Sequence, residues 1–387
     1  MLNLTSQVRP LGEYDPAPFL VRLTEDGADD GPRRRESALI VSSPALDSIP
    51  TGFRAYLYRS EPQSAPPNSF LLSPELHYLG EGDVVRIEPQ RRRLHALYRR
   101  ESPSNSLLVT ERCDNFCVMC SQPPKAADDS WLVDELLRAI PLFSQETVAL
   151  GLTGGEPGLL GDRLIDLIRS LRDHLPTTAV HVLSNGRAFA DPGFAHRLAT
   201  VAHPDLMLGI PLYSDLPEEH DFVVQARGAF DETLRGILNL KRNGVRVEIR
   251  VVLHKETIGR LPELAEFIAR NLTFADHVAL MGLELMGFAK TNLEALWADP
   301  LDYAASLESA VGTLQRARVP VSVYNHQLCV VTPAVRPFAR KSISDWKNMY
   351  STECESCADR SDCGGFFASS SLRRSRGIRS ISRGATE

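Results

Sequence analysis

From about residue 107 onward, short apolar runs alternate with stretches whose apolar positions recur at three- and four-residue steps. The first kind reads as buried strands and the second as amphipathic helices. "SLLVT" (106–110) precedes the helix "DSWLVDELLRAI", "TVALGLT" precedes "DRLIDLIRSLRDHL", and "AVHVLS" precedes "DPGFAHRLATV". "DLMLGIPLY", "VRVEIRVVL" and "HVALMGLEL" are the next strands, and the last is followed by the helix "PLDYAASLESAVGTLQRA". Six β-then-α units result, each strand short and apolar, as parallel strands covered by helices should be. That is too few for a closed eight-fold barrel. It predicts an α/β fold, an open (βα)6 three-quarter TIM-like barrel over residues 105–318, with its chemistry at the C-terminal strand ends.

Residues 1–100 break this rhythm. "PQSAPPNS" is a proline-rich loop, and "GEGDVVRIEPQRRRLHALYRR" holds short β-rich runs around a Gly-Asp turn. They predict a small β-rich leader domain, disordered near "EDGADDGPRRR". An exposed sheet edge there would let it hold a peptide as an added strand. Residues 319–371 read as a Cys-rich extension and 372–387 as a disordered Arg/Ser tail.

Hydrophobic residues make up 43% of the chain and charged residues 24%, ordinary values for a globular protein. The net charge of −6 supplies no bulk attraction for nucleic acid, and Arg33–Arg35 and Arg91–Arg93 read as solvated faces. The N-terminus lacks the basic-then-apolar pattern of a signal peptide, and no apolar stretch approaches the roughly 18 residues of a membrane span. The expectation is a cytoplasmic protein with no membrane association and with reduced thiols.

Against that background, "RCDNFCVMCSQPP" places three of the chain's 7 cysteines, Cys113, Cys117 and Cys120, in the loop after the first strand. Random placement would produce this spacing roughly 0.002 times per chain. Thiolates are soft ligands that suit iron–sulfur clusters, zinc or copper(I). Three of them on a four-iron cluster leave one iron open to a further ligand. A structural zinc needs a fourth protein donor, and neither His95 nor His181 stands at a finger spacing. Burial as small hydrophobes is the plainer alternative.

"LTGGEP" (152–157) ends the second strand, where two glycines admit a close approach and Glu156 adds a charge at the barrel mouth. "LSNGR" (183–187) ends the third with Ser184 and Asn185, polar groups able to bond a sugar or carboxylate, or simply an Asn-Gly turn. With "CDNFCVMC", "TGGEP" and "LSNGR" in that order, residues 107–290 resemble the radical S-adenosylmethionine superfamily. The resemblance implies a [4Fe-4S] cluster on Cys113, Cys117 and Cys120, with S-adenosylmethionine on its open iron. It implies Gly154, Gly155 and Glu156 at the amino group, and Ser184 and Asn185 at the carboxylate or ribose. Arg250, on the fifth strand, is a further candidate facing the interior. The implied chemistry is reductive cleavage to a 5′-deoxyadenosyl radical that abstracts hydrogen from a substrate. Two positions depart from the pattern: Met119 stands where an aromatic residue is common, and the fourth strand ends "IPLYSD".

A second group, "CESCADRSDCGGFF", contains Cys354, Cys357 and Cys363, with Cys329 of "NHQLCVV" as a candidate fourth ligand. Four thiolates would close either a zinc site or an auxiliary iron–sulfur cluster. With "LLVTERCDNFCVMCSQPPK", "SISDWK" and the C-x2-C-x5-C-GGFF tail, the chain resembles the His-Xaa-Ser system radical maturases, C-type member. That resemblance implies a short ribosomal peptide with His-Xaa-Ser repeats as substrate, a companion radical maturase, and a reductant such as flavodoxin or ferredoxin. Two alternatives stand beside it: a radical enzyme acting on a small molecule or activating another enzyme, and a non-catalytic iron–sulfur scaffold or electron carrier.

Overall fold

The computed structural model describes residues 4–28, 32–41, 49–341 and 349–382. The "SISDWK" segment, part of "EDGADDGPRRR" and the last five residues lie outside the described residues. Two compact units emerge, the first comprising Met1–Leu107, Trp131–Leu150 and Ser170–Thr178, the second the remainder.

In the first unit seven strands form a barrel: β1 (Thr5–Pro10), β2 (Phe19–Thr24), β3 (Ser37–Val41), β4 (Ala55–Tyr58), β5 (Ser69–Leu72), β6 (Val84–Glu88) and β7 (Arg93–Tyr98). Their order is β1-β5-β4-β3-β2-β6-β7, closed by β1 pairing with β7. Alternate residues fill the inside, among them Val21 and Leu23, Ala38 and Ile40, Ala55 and Leu57, Phe70 and Leu72, Val85 and Ile87. This two-residue period is what puts one face of every strand into the barrel. Closure removes the free edge on which the strand-addition mode depended, so that expectation is corrected. The described part of the segment expected to be disordered is ordered too, with a short turn at Pro32–Glu36 and Arg34 donating to Gly27 O at 2.8 Å.

The unit also extends past residue 100, taking in α1 (Trp131–Ala139) and the turn after it. Tyr98 explains why: its ring stacks on Phe143 at 4.4 Å, and its hydroxyl lies 2.7 Å from Thr147 Oγ1. Arg86 of β6 adds an ion pair with buried Glu135 of α1 at 2.8 Å.

The second sheet runs in sequence order through β8 (Asn105–Thr110), β9 (Ala149–Gly154), β10 (Ala179–Leu183), β11 (Leu206–Pro211), β12 (Arg246–Leu253), β13 (His277–Gly282), β14 (Val321–Tyr324) and β15 (Ala339–Arg340). Pairings from β10 onward are parallel. Between the strands lie α2 (Asp162–His174), α3 (Pro192–Thr200), α4 (Pro217–Val224), α5 (Ala229–Arg242), α6 (Lys255–Ile258), α7 (Leu261–Asn271), α8 (Gly287–Thr291), α9 (Leu293–Leu296) and α10 (Ala304–Arg316). Ile249, Val251 and Leu253 of β12 pack outward on Leu264 and Ile268 of α7 and share one core with Leu307, Val311 and Leu314 of α10. The intervening positions of β12, Glu248 and Arg250, therefore face the opposite side, into the barrel.

Among the described residues, eight strands stand in this sheet where six were expected. "VSVY" is too short and too close to Pro320 to register as a strand by periodicity, and β15 has only two residues. The expected extension from residue 319 thus begins by continuing the sheet. The tail expected to be disordered is also held as far as it is described. Arg373 pairs with Glu294 at 2.5 Å, and Ser375 Oγ and Arg376 N donate to buried Asp299 at 2.5 and 2.9 Å. No helix among the described residues is long and apolar enough to cross a membrane.

Candidate cofactor site

The loop after β8 is tied at its base by Asp129, which is buried and accepts from Thr110 Oγ1 at 2.9 Å, from Arg112 Nε at 3.1 Å and from Glu111 N. Its far side is held by backbone bonds from Phe116 N to Val224 O (3.0 Å) and from Val118 N to Val223 O (2.9 Å), at the end of α4. Asn292 Nδ2 donates to Val118 O at 2.8 Å, and Phe288 N to Cys120 O at 2.8 Å. Gly287, at φ +52°, allows that last contact, because a Cβ there would overlap the carbonyl oxygens of Cys120 and Ser121.

Burial pushes the thiols of Cys113 and Cys117 up to about 12 and raises that of Cys120. The three also repel one another's charge: Cys120 and Cys113 both push Cys117 upward. Asn115 N donates to Cys113 Sγ at 3.4 Å, a bond that favours a charged sulfur. Three thiols gathered in one loop, each partly exposed, are soft donors of the kind a multi-iron cluster takes. Among the described residues, neither this group nor the C-terminal one presents three donors in closed coordination geometry. The fit is therefore one of donor chemistry. Met119 is turned into the apolar cluster of Tyr213, Val223, Ala289 and Leu296 beneath the loop.

The glycines of "TGGEP" do something other than expected. A Cβ on Gly154 (φ +139°) would overlap Thr110 O, and one on Gly155 would overlap Arg112 O. Their smallness brings the end of β9 against the end of β8, where Gly155 N donates to Thr110 O (2.8 Å) and Glu156 N to Arg112 O (2.7 Å). The close approach is backbone to backbone. Glu156, expected as a charge at the mouth, is instead 1% exposed. Its carboxylate accepts from Gly158 N (2.6 Å), Ser184 Oγ (2.6 Å) and Asn185 N (2.5 Å), and burial pushes its pKa up to about 7.

Ser184 and Asn185 are likewise engaged within the protein. Ser184 Oγ also accepts from Gly186 N at 3.0 Å, while Asn185 Nδ2 donates to Asp114 Oδ1 at 2.6 Å and Asn185 Oδ1 accepts from Arg187 N at 3.0 Å. Arg187 completes a hub that sequence reasoning missed. Its guanidinium reaches Asp114 Oδ2 (3.1 Å), Asn115 Oδ1 (2.7 Å) and Glu232 Oε2 (2.7 Å). The second and third strand ends and the cysteine loop are thereby one hydrogen-bonded body. Only the charged and amide types in "CDN" and "NGR" hinted at it.

Arg250 does face the interior. It donates to Glu248 Oε1 at 2.6 Å and lies 3.1 Å from Met281 Sδ. Gly209 on the neighbouring strand clears space for it: a Cβ there would come within 2.9 Å of Arg250 Cδ and 2.7 Å of His181 Nε2. Glu248 is the centre of this buried network, with His277 Nδ1 at 2.7 Å and His277 Nε2 3.0 Å from Ser322 Oγ. Burial opposes its charge, but the bond to His277 and the Arg250 guanidinium hold its pKa at about 2. The signal was present as charges at alternate positions of an apolar strand, "VEIRVV". Tyr213, just beyond β11, is buried and within electrostatic reach of Cys117, Cys120 and Arg250. It belongs to the "IPLYSD" stretch from which no role was drawn.

In the C-terminal group, Met349 and Phe366 exchange backbone bonds at 2.8 Å, and Gly365 (φ +64°) permits the closure. Gln327 Nε2 donates to Gly365 O at 2.7 Å, which brings the segment to the loop of Cys329. Burial raises the Cys329 thiol, and Cys363 and Cys354 push it further. Cys329 is thus within electrostatic reach of both.

Residues 107–268 match a family model described as Radical SAM superfamily. Fe-coproporphyrin III synthase of Methanosarcina barkeri is 25% identical over 171 residues, covering 41% of this chain and 39% of that protein. Among solved structures, Streptococcus suis SuiB bound to S-adenosylmethionine is similar with a TM-score of 0.45 and 15% identity, covering 65% of this chain and 56% of that one. The anSMEcpe structure with bound AdoMet and a Cp18Cys peptide has a TM-score of 0.44 and 18% identity, covering 57% and 63%. The match therefore spans well under half of the curated relative, and less than two thirds of each solved chain.

Proposed function

We propose that this chain, whose residues 107–268 match the radical SAM family model, is a radical S-adenosylmethionine enzyme that matures a ribosomally made peptide. The cofactors of such a domain are a [4Fe-4S] cluster and S-adenosylmethionine, which when bound supply a 5′-deoxyadenosyl radical for hydrogen-atom abstraction. Cys113, Cys117 and Cys120 would hold the cluster. The observation that carries this is the set of three cysteines within one loop that is pinned to the second and third strand ends.

In this reading Gly154, Gly155 and Glu156 would hold the amino group through their backbone. The Glu156 carboxylate, with Ser184 and Asn185, keeps that backbone in place, and Ser184 and Asn185 would serve the carboxylate or ribose. Arg250 faces the interior, bonded to Glu248. Enclosure is part of the chemistry, because a primary radical attacks whatever it meets. The peptide substrate with His-Xaa-Ser repeats, a companion maturase and a flavodoxin- or ferredoxin-type reductant rest on the resemblance of "LLVTERCDNFCVMCSQPPK" and the C-terminal cysteine spacing. Cys329, Cys354, Cys357 and Cys363 would hold a second soft-metal site, iron–sulfur or zinc. The similarity to Fe-coproporphyrin III synthase favours a second reading, action on a small molecule.

The test is anaerobic reconstitution with iron, sulfide, reductant and S-adenosylmethionine, comparing 5′-deoxyadenosine from wild type and from C113A/C117A/C120A. Product only from wild type, with a mass change on a co-expressed His-Xaa-Ser peptide, supports the maturase. Product without any peptide change moves the assignment to a small molecule. No product from wild type with an intact cluster leaves an iron–sulfur scaffold.

A further inference from the structure

β12, β13 and β14 are neighbours in the parallel sheet, and one side chain from each meets the next across their inner face. Val278, Val321 and Val323 join the outer core with α7 and α10, so His277 and Ser322 point the other way, as Glu248 does. His277 Nδ1 lies 2.7 Å from Glu248 Oε2, and His277 Nε2 lies 3.0 Å from Ser322 Oγ. The other Glu248 oxygen, Oε1, accepts from Arg250 Nη1 at 2.6 Å. The carboxylate decides which ring nitrogen carries the proton. With its pKa held at about 2, Glu248 is ionised at neutral pH and only accepts, so Nδ1 is the protonated nitrogen. Nε2 of the neutral ring then offers a lone pair, and the Ser322 hydroxyl donates to it. A hydroxyl on a base whose other nitrogen is fixed by a buried carboxylate has the arrangement of an activated serine.

Ser322 and His277 also open on a recess of about 440 Å³, whose other walls include Val319, Phe338, Arg318 and Arg340. That is room for a small organic ligand. Among the described residues no carboxylate lines it. Arg340 donates to the carbonyl oxygens of Pro337 (2.7 Å) and Ala339 (2.9 Å), neutral partners that leave its charge in place. The recess therefore favours an anion. It lies at the starts of β13 and β14, whereas "TGGEP" and "LSNGR" stand at the ends of their strands.

We propose that Ser322, His277 and Glu248 form a second active site, an esterase-type centre for esters of small acids that carry an anionic group. Ser322 Oγ forms the bond to the acyl carbon while its proton passes to His277 Nε2. The ester C–O bond breaks, and the leaving alcohol takes that proton. Water then gives a proton to the same nitrogen and adds to the acyl carbon, the acid departs, and Ser322 recovers its hydrogen. Nothing is oxidised or reduced. Glu248 acts through His277 and is a positioning residue, with Arg250 anchoring it in turn. Arg318 and Arg340 supply the positive charge that holds the anionic end of the substrate.

Labelling of the full chain with a fluorophosphonate, mapped by peptide mass spectrometry, tests this. Hydrolysis of 4-nitrophenyl acetate and of the mono-4-nitrophenyl ester of succinic acid is followed alongside. Ser322 is expected to be labelled in wild type, and His277→Gln and Glu248→Gln to slow that labelling by about a hundredfold or more. Ser322→Ala is expected to abolish hydrolysis, and Arg318→Ala to lower the preference for the succinate ester about tenfold. If the network variants do not fold, denatured wild type carries the comparison, since unfolding separates the three residues. Labelling of Ser322 at the same rate in His277→Gln, or in the denatured chain, overturns the relay. Folded wild type with Ser322 unlabelled, or hydrolysing no faster than Ser322→Ala, overturns the site.

Discussion

Gly155 lies so close to Arg112 that a Cβ on it would overlap the Arg112 carbonyl oxygen, while its own N–H donates to Thr110 O at 2.8 Å. The second strand end and the root of the cysteine loop are joined by that absence of a side chain. Gly155→Ala must push them apart, at a cost of about 1–3 kcal/mol in urea unfolding, and the reconstituted protein should retain less iron. Gly259→Ala, where a Cβ meets nothing within 4 Å, should stay within about 0.5 kcal/mol of wild type. Equal stability of the two variants would contradict the close crossing.

Glu156 joins the second strand end to the third through three accepted bonds. A glutamine of the same shape offers only one oxygen and turns an NH2 toward groups that are themselves donors. Each buried donor left without an acceptor costs about 1–3 kcal/mol, so Glu156→Gln should be strongly destabilising by chemical denaturation. A loss confined to S-adenosylmethionine affinity, with stability unchanged, would show that the carboxylate faces the ligand.

Glu248 has the opposite electrostatic history. Its folded pKa is held at about 2, below the ordinary 4.5, so between these values the unfolded chain binds more protons than the folded one. Stability from this group is complete above about pH 4.5 and is lost as pH falls toward 2, a contribution of up to about 3 kcal/mol. Unfolding free energies measured across that range should fall more steeply for wild type than for Glu248→Gln. Parallel curves would refute the buried network as an acid-sensitive element.

Burial that pushes Cys113 and Cys117 up to about 12 also governs their reactivity without metal. In metal-free protein, alkylation of both, followed by peptide mass spectrometry, should keep accelerating past pH 9, whereas an unfolded control levels off near the ordinary thiol pKa of about 8.5. A plateau at the same pH in both would mean that the loop leaves its sulfurs in water.

Cys113, Cys117 and Cys120 were legible as candidate ligands because all three lie within one loop, and the helices because their apolar stripe repeats within one turn. The pairing of donors is different in kind. Arg187 with Asp114 and Glu232, His277 with Glu248 and Ser322, and the tail with Asp299 each join residues dozens of positions apart. No local period encodes them. "TGGEP" was recognisable as a motif, yet its glycines serve a crossing of two strands and its glutamate a buried junction, which only the neighbouring chain could reveal. The N-terminal strands were visible as β-rich runs, but closure depends on β1 meeting β7, a pairing that no local pattern carries. The sequence by itself determined the candidate ligand set, the helical periods and the order of the units, because those follow from residue type and short spacing. Tertiary structure decided which polar groups are engaged and which edges remain, because burial and hydrogen-bond partners arise only when distant segments are brought together.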